Sequence, residues 1–383
     1  MRTAIKSWLR ERSGRKPRLL LVSPLPPPAG GIATWTQRLS RTELYGRYEI
    51  RILNTNTGRA DAQIAGVTPR KAALGFSFVR QFALLMLTYR PDIVHINTSG
   101  FMPLMIIEAI QSILARQAGA AVIFHVRGSM NDTWERTSPT LRPLQGAIFR
   151  GASRVLTLHE SGTEVLERHG VQGRVISNFV MTREAPDRAE RTGPVQVLFV
   201  GWIMPYKGVI ELIEAAGQVP GLELVLLGRV VNNSTEQIEE AIDAAGLRDR
   251  ITLPGEVPLA EVWSYYDDAD VFALPSWTEG FPNTLVEAMM SGLPALYTDV
   301  GAMAEMQIDG TTGIEVPVRD AGAIASALKR LVEDPDLRRG MGEAARARAL
   351  AEYEMSQVLH RLCDHYDELV GCTTRPPQPT ETP

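Results

Sequence analysis

The sequence predicts an α/β chain, built as two doubly wound, Rossmann-like domains facing across a cleft. Three observations carry this. Short β-rich runs alternate with longer helical stretches, as a parallel sheet with crossover helices requires. A polar, proline-bearing stretch from Met181 to Pro194 has no periodic apolar face and reads as a linker. Beyond it the alternation restarts.

The elements follow in order. "PRLLLVSPLP" reads as a buried strand and "GGIATWTQRLSRTEL" as the helix after it. "YEIRILNTN" and "PDIVHINTS" are further strands, each followed by a helical stretch, and "AAVIFHVRG", "SRVLTLHE" and "GRVISNFV" continue the series. After the linker come "VQVLFVGWI", a helix beyond Lys207, "LELVLLGR", a helix from Ser234, "ITLPGEV", "DVFALPS", a helix after Pro282, and "PALYTD". From about Asp320 to Val370 the pattern is helical, and "TTRPPQPTETP" reads as a disordered tail. The expected organisation is a basic leader at 1–16, an N-terminal domain at 17–182, and a linker at 183–194. A C-terminal domain at 195–355, a terminal helix at 356–371 that returns to the N-terminal domain, and a tail at 372–383 complete it.

Bulk properties narrow the function. A length of 383 residues with 44% apolar and 22% charged residues suits a globular protein of two or three domains. The net charge of −4 does not mark a polyanion binder, so nucleic acid is not an expected partner. Cys363 and Cys372 make neither a disulfide framework nor a metal pattern, which fits a reducing cytoplasm. No apolar signal segment opens the chain. The strongest apolar run, Phe101 to Leu114, is broken by Glu108 and Gln111 and is too short to cross a bilayer. The leader carries Arg2, Lys6, Arg10, Arg12, Arg15 and Lys16 against Glu11, with Ile5, Trp8 and Leu9 as an apolar face. Two readings stand for it: a basic amphipathic helix on an anionic membrane surface, or a solvated leader.

In sheets of this class ligands bind beyond the carboxyl ends of the strands. Gly30 and Gly31 follow the first strand and open a helix, where bare backbone and free N–H groups suit a phosphate or simply make a strand–helix turn. Their spacing is not a nicotinamide fingerprint. In "HVRGS", His125 and Arg127 are two apart, so an extended backbone points both the same way, toward a ligand or into structure. Lys207 opens a helix after "FVGWI" and offers a point charge to a diphosphate, or is an exposed helix-start lysine.

The richest stretch is "SWTEGFPNTLVEAMMSGLPAL". Pro282 suits a helix start and Gly292 its end, placing Glu279 in a loop and Glu287 inside the helix. A carboxylate accepts two hydroxyl hydrogen bonds, which matches a vicinal diol. Free N–H groups around Asn283, Thr284 and Leu285 suit an anion between the two acids. The plain alternative makes Glu287 a solvated helix residue. Asp267 to Asp270 holds a D-x-D triplet, but Asp270 begins a strand and its neighbours end a surface helix, so no metal site is expected.

Together these pieces resemble the family-4 retaining glycosyltransferases, whose fold is GT-B. The residues that carry it are the glycine pair, "FVGWIMPYKG", "DVFALPS", and "EGFPNTLVEAMMSGLPAL" with its E-x7-E spacing. The resemblance covers most of 17–365. It implies that Glu287 binds the ribose hydroxyls and Glu279 the transferred sugar. It implies that Lys207, Gly280, Phe281 and the helix start at Asn283, Thr284 and Leu285 hold the diphosphate, with Gly30 and Gly31 near the phosphates. It places His125, or Arg127 in the histidine's place, at the reaction centre, with His125 preferred. Where the family commonly has arginine in "VGR…KG" this chain has Trp202, leaving Lys207, helix termini and Arg229 to meet the phosphates.

The resemblance further implies a nucleotide-diphosphate sugar as donor substrate, no separate cofactor, no metal, and a glycan or lipid-linked acceptor in bacterial polysaccharide or glycoconjugate assembly. The expected location is cytoplasmic, with peripheral contact on the inner membrane face. Competing readings are a sugar-nucleotide 2-epimerase, which needs no acceptor, and a non-catalytic nucleotide-sugar-binding protein.

Overall fold

The structure is a computed structural model, described for residues 15–371 except 28–30, 41, 43, 57–68, 103, 185, 187–192 and 232–233. Gly30, most of the basic leader, most of the linker, and the tail with Cys372 lie outside the described residues. The chain divides into two compact units. One runs up to Ile176 and resumes at Leu359; the other is Ser177–Val358.

The first unit holds β1 (Arg18–Ser23), β2 (Glu49–Asn54), β3 (Ile93–Thr98), β4 (Ala121–Val126), β5 (Arg154–Thr157) and β6 (Gly173–Val175). All pair in parallel, in the order β2-β1-β3-β4-β5-β6. Its helices of more than four residues are α1 (Gly31–Leu39), α2 (Pro69–Thr88), α3 (Leu104–Gln117), α4 (Met130–Arg136), α5 (Arg142–Arg150) and α6 (Glu160–Arg168). Right-handed crossovers put α2, α3, α5 and α6 on one face of the sheet and α1 on the other.

Strand alternation sorts the two faces. Val94, Ile96, Val122, Phe124 and Val126 join an apolar core with Phe82, Met105 and Phe149 from the helices. His95 and His125 take the alternate positions and are fully buried. What covers them includes the last helix of the chain, whose Tyr366 hydroxyl lies 2.6 Å from His95 Nδ1. That helix also accepts a hydrogen bond from Tyr48 at Asp367 and an ion pair from Arg154 at Glu368.

The second unit holds β7 (Val195–Val200), β8 (Leu222–Leu227), β9 (Ile251–Gly255), β10 (Val271–Leu274), β11 (Ala295–Tyr297) and β12 (Gly313–Glu315). They are parallel in the order β12-β11-β10-β7-β8-β9. Counted from β7, this is the order of a dinucleotide-binding sheet, with β7 and β10 adjacent where the chain reverses direction. Its helices of more than four residues are α7 (Val209–Gln218), α8 (Thr235–Ala244), α9 (Val262–Asp268), α10 (Asn283–Met290), α11 (Ala321–Glu333) and α12 (Pro335–Glu352), and α13 (Met355–Val370) begins here.

Central strands β7 and β10 are buried along nearly their whole length, whereas edge strand β9 is not. This is the expected contrast between strands covered on both faces and one at a sheet edge. The contact boundary between the units falls after Ile176, earlier than the polar stretch suggests. The reason is local: Val180 N–H donates to Tyr353 and Met355 N–H donates to Val180, tying this segment to the end of α12.

Candidate functional site

Lys207 and Glu279 come together at the β7/β10 junction. Loops leaving β7 and β10 run to opposite sides of the sheet, which opens a crevice beyond the strand ends. Lys207 ends a short 3-10 turn, Pro205–Lys207, and Gly208 then enters α7 in the left-handed region at φ 70°. A Cβ on Gly208 would sit 1.9 Å from the Pro275 carbonyl, so only glycine fits between the two loops. The result is an ion pair: Lys207 Nζ lies 2.6 Å from Glu279 Oε1, with side-chain exposures of 19% and 11%.

The loop carrying Glu279 is held from several sides. Ser276 Oγ donates to Glu279 Oε1 at 2.9 Å, and Thr298 Oγ1 donates to the Ser276 carbonyl at 2.6 Å. Trp277 N–H donates to Tyr206, and its indole N–H donates to Glu211. Gly301, at φ 58°, lies so close that a Cβ would meet the Glu279 carbonyl at 2.0 Å. Ser276 and Gly301 were not candidates from the sequence. Ser276 ends the "DVFALPS" run, so its place after a buried strand was a usable signal; Gly301 lies just past the strand that ends the acidic stretch, in a turn with no motif of its own, and gave none.

Helix α10 starts at Asn283, with Pro282 extended just before it. Leu285 N–H donates to the Pro282 carbonyl at 3.1 Å, so this expected free N–H is in fact engaged by a tight first turn. By helix geometry Asn283 and Thr284 keep N–H groups without an intrahelical acceptor. Asn283 Oδ1 accepts from Asn178 Nδ2 at 2.7 Å, and Phe281 meets the Tyr353 ring edge-on at 5.8 Å. Glu287 is buried, and its Oε2 accepts a hydrogen bond from Tyr266 at 3.2 Å, which excludes the solvated-residue reading. The helix ends in a Schellman pattern: Leu293 N–H to Ala288 and Gly292 N–H to Met289.

Trp202 and Arg229 follow the ends of β7 and β8. Those ends stay paired past the strands through an Ile203–Val230 bridge. Trp202 is 56% exposed, and Arg229 is exposed as well. Asp270 Oδ2 accepts from Gln196 N–H, a strand-start role, and no His/Cys/Asp/Glu cluster of metal-ligand type occurs among the described residues.

In the first unit the junction lies between β1 and β3, and Gly31 begins α1 beside it. Ser23 Oγ is 2.5 Å from Thr36 Oγ1 and accepts from Asn97 Nδ2 at 2.8 Å. His125 does not reach the surface. Its Nε2 is 3.1 Å from the Ile176 carbonyl, so it carries the proton and donates. Burial, then the neighbouring Arg127 cation, holds the His125 pKa well below the usual imidazole range, and His95 is held down to about 3 by the same two causes. Arg127 Nη1 lies 3.2 Å and 3.4 Å from the two His125 ring nitrogens, and its guanidinium stacks over Trp35 at 4.3 Å. Burial lowers the Arg127 pKa to about 9. Trp35, His95 and Tyr366 come from segments far apart in the chain, so no linear motif announced them.

Comparison with known proteins adds the family. Residues 29–184 match the model described as Glycosyltransferase Family 4, and residues 181–348 match the one described as Glycosyl transferases group 1. An α-D-kanosaminyltransferase of Streptomyces kanamyceticus is 33% identical over 177 residues, which is 45% of this chain and 45% of that one. The chain spans about half the length of the curated relatives it matches. Among solved structures, sucrose-phosphate synthase from Thermosynechococcus elongatus is similar with a TM-score of 0.74 at 21% identity, covering 94% of this chain and 100% of that one. Anabaena HepE, solved with UDP and glucose, gives 0.69 at 17% identity, covering 92% and 99%. At these identities the likeness shows the GT-B fold of two Rossmann-like halves. Since the two family models together run from residue 29 to residue 348, the chain belongs to the family-4 glycosyltransferases.

Proposed function

We propose that the chain transfers a glycosyl group from a nucleoside-diphosphate sugar to a hydroxyl of a glycan or lipid-linked acceptor, with retention at the anomeric carbon. The observation that carries this reading is the Lys207–Glu279 pair at the β7/β10 junction, next to the start of α10. A cation, free N–H groups and two carboxylates are what a diphosphate flanked by two polyols needs. Glu287 takes the ribose hydroxyls, Asn283 and Thr284 N–H with Lys207 take the diphosphate, and Glu279 takes the sugar. Gly280 and Phe281 shape the loop between them, and Arg229 adds a solvated cation.

In the transfer, the bond from the anomeric carbon to the β-phosphate oxygen breaks while the acceptor oxygen approaches on the same face. The acceptor proton passes to the departing phosphate. Charge developing on that phosphate is met by groups already in place, so the positive charge a metal would supply comes from Lys207 and the helix start. Before donor binds, Glu279 neutralises Lys207. Donor binding redirects the ammonium to phosphate and frees one Glu279 oxygen for a sugar hydroxyl. On the acceptor side, burial favours Arg127 as the group presented to ligand, with His125 behind it as the residue that positions it. HepE was solved with UDP, which supports a nucleoside-diphosphate donor for this chain. A lipid-linked acceptor would place the work at a membrane face.

The test is slow hydrolysis of a panel of nucleotide sugars with and without EDTA, in the wild type and in Glu279→Ala. The expected result is EDTA-insensitive turnover of one donor, lost in the variant. Tight donor binding with no turnover, even with lipid-linked acceptors, overturns transfer and returns the chain to a binding role. Anomeric analysis of the product checks retention.

A further inference from the structure

We propose that the outer face of α2, α3 and α5 in the first unit docks on an anionic lipid surface. The face is apolar where a helical layer would ordinarily be polar. On α3, Ile106, Ile110 and Ile113 are exposed by 47%, 41% and 46% at a spacing of four and three residues, one stripe along the helix. On α2, Phe76 and Leu87 are each 73% exposed, with Leu84 between them. The two helices touch: a Cβ at Gly75 of α2 would lie 2.9 Å from Ile107 Cδ1 of α3, so their outer faces are continuous. On α5, Leu144 is exposed as well. Single exposed aliphatics need no explanation, but a run across adjacent helices does.

The charges choose the occupant. In helices of 20, 14 and 9 residues there is one acid, Glu108, although the chain as a whole has 44 acidic residues against 40 basic ones. Glu108 is buried and accepts a hydrogen bond from Thr98 Oγ1 at 2.7 Å, so it does not face outward. Arg80, Arg116 and Arg150 are exposed on the same three helices. Exposed acids return at the edge of the layer, at Glu160, Glu164 and Glu167 on α6. An apolar stripe flanked by arginines complements acyl chains beneath anionic headgroups. A second copy of the chain in a two-fold contact would set these arginines against one another. No described helix is long and apolar enough to cross a bilayer, so the helices lie along the interface.

The inference names the surface by which an acceptor-side unit would meet lipid, but it rests on this face and not on the transferase reading. Its readout needs neither donor nor acceptor. The full chain is sedimented with vesicles of phosphatidylcholine alone and with added phosphatidylglycerol. Compared with it are Ile110→Ser/Ile113→Ser, Arg80→Gln/Arg116→Gln, Leu253→Ser/Leu259→Ser on the second unit, and a leader variant with Arg2, Lys6, Arg10 and Arg12 changed to glutamine. Circular dichroism and melting temperature verify folding of each. The expected result is binding to anionic vesicles only, weakened roughly tenfold by the isoleucine pair and salt-dependently by the arginine pair, and unchanged by the second-unit pair. Binding lost only in the leader variant overturns the proposal. So does binding that the isoleucine pair leaves intact, or a wild-type dimer that the isoleucine pair converts to monomer.

Discussion

Each unit puts polar residues at the point where its sheet reverses direction, yet the two settings are opposites. At β7/β10, Lys207 and Glu279 keep 19% and 11% of their side chains in solvent and satisfy each other's charge. On the α1 face of the first sheet, two imidazoles are wholly buried among Trp35, Tyr366 and the Arg127 guanidinium. The first arrangement is a pair of groups ready to exchange partners. The second is a structural cluster that holds one cation in place. Removing a member of the pair should therefore cost turnover and little stability, and removing His95, the cluster's imidazole with no proposed part in the transfer, the reverse.

The largest expected effect tests the first half of that contrast. Lys207→Met should lower the rate of donor turnover by about 100- to 1000-fold, the usual cost of deleting a preorganised charge-stabilising group. A partly exposed ion pair adds at most about 1 kcal/mol to stability. Thermal melting of the variant should thus stay within a few degrees of wild type. A variant that melts early while retaining turnover breaks the contrast outright.

Two buried groups in the first unit sharpen the second half, with opposite signs. Glu108 has its pKa raised to about 7 by burial, against hydrogen bonding from Thr98, from an ordinary value of 4.5. The unfolded chain releases this proton first as pH rises. Its stabilising contribution is complete below pH 4.5 and is lost through about pH 7. Glu108→Gln should therefore raise stability at pH 8 by on the order of 3 kcal/mol, read by urea denaturation. No gain at pH 8 would mean that the carboxylate is ionised and solvated. His95 works the other way. Its folded pKa of about 3 lies below the ordinary 6.5, so the unfolded chain takes up the proton first as pH falls. Stability is intact above pH 6.5 and drains away toward pH 3, by about 2 kcal/mol at pH 5 from this residue. His95→Gln should flatten the fall between pH 6.5 and 5 in melts taken at matched ionic strength. A wild-type curve already flat there would show that the ring titrates normally.

The contrast also explains which site was legible in the sequence. The β7/β10 residues sit in two linear runs, each a buried strand followed by its loop and helix, so spacing put Lys207, Glu279 and Glu287 each just beyond a strand, and the resemblance joined the two runs into one site. The first-unit cluster joins residues 35, 95, 125 and 366. Alternation in "PDIVHINTS" and "AAVIFHVRG" does put His95 and Asn97, and His125 and Arg127, on one face. It cannot tell whether that face meets solvent, ligand or another element, and here a helix more than two hundred residues later covers it. Leu285 shows a finer limit. A helix start was readable from Pro282, but which of its N–H groups stays free depends on one turn of backbone geometry.

The smallest expected effect asks how far the open site depends on Lys207 alone. Trp202 stands where the resemblance calls for arginine, at the end of β7 and 56% exposed. An arginine at that position would remain solvated, so its attraction to a diphosphate is screened and amounts to about 0.2–1 kcal/mol. Trp202→Arg should tighten donor binding by a few fold in calorimetry, with a steeper salt dependence and little change in melting temperature. If binding instead weakens, the indole itself contacts the donor, and the open site recognises its ligand by stacking as well as by charge. If the variant binds a few fold tighter and turns over faster, the pair at Lys207 and Glu279 was short of positive charge. Turnover is the discriminating measurement, because a uniform gain in donor affinity leaves kcat unchanged, whereas charge placed on the departing phosphate raises it.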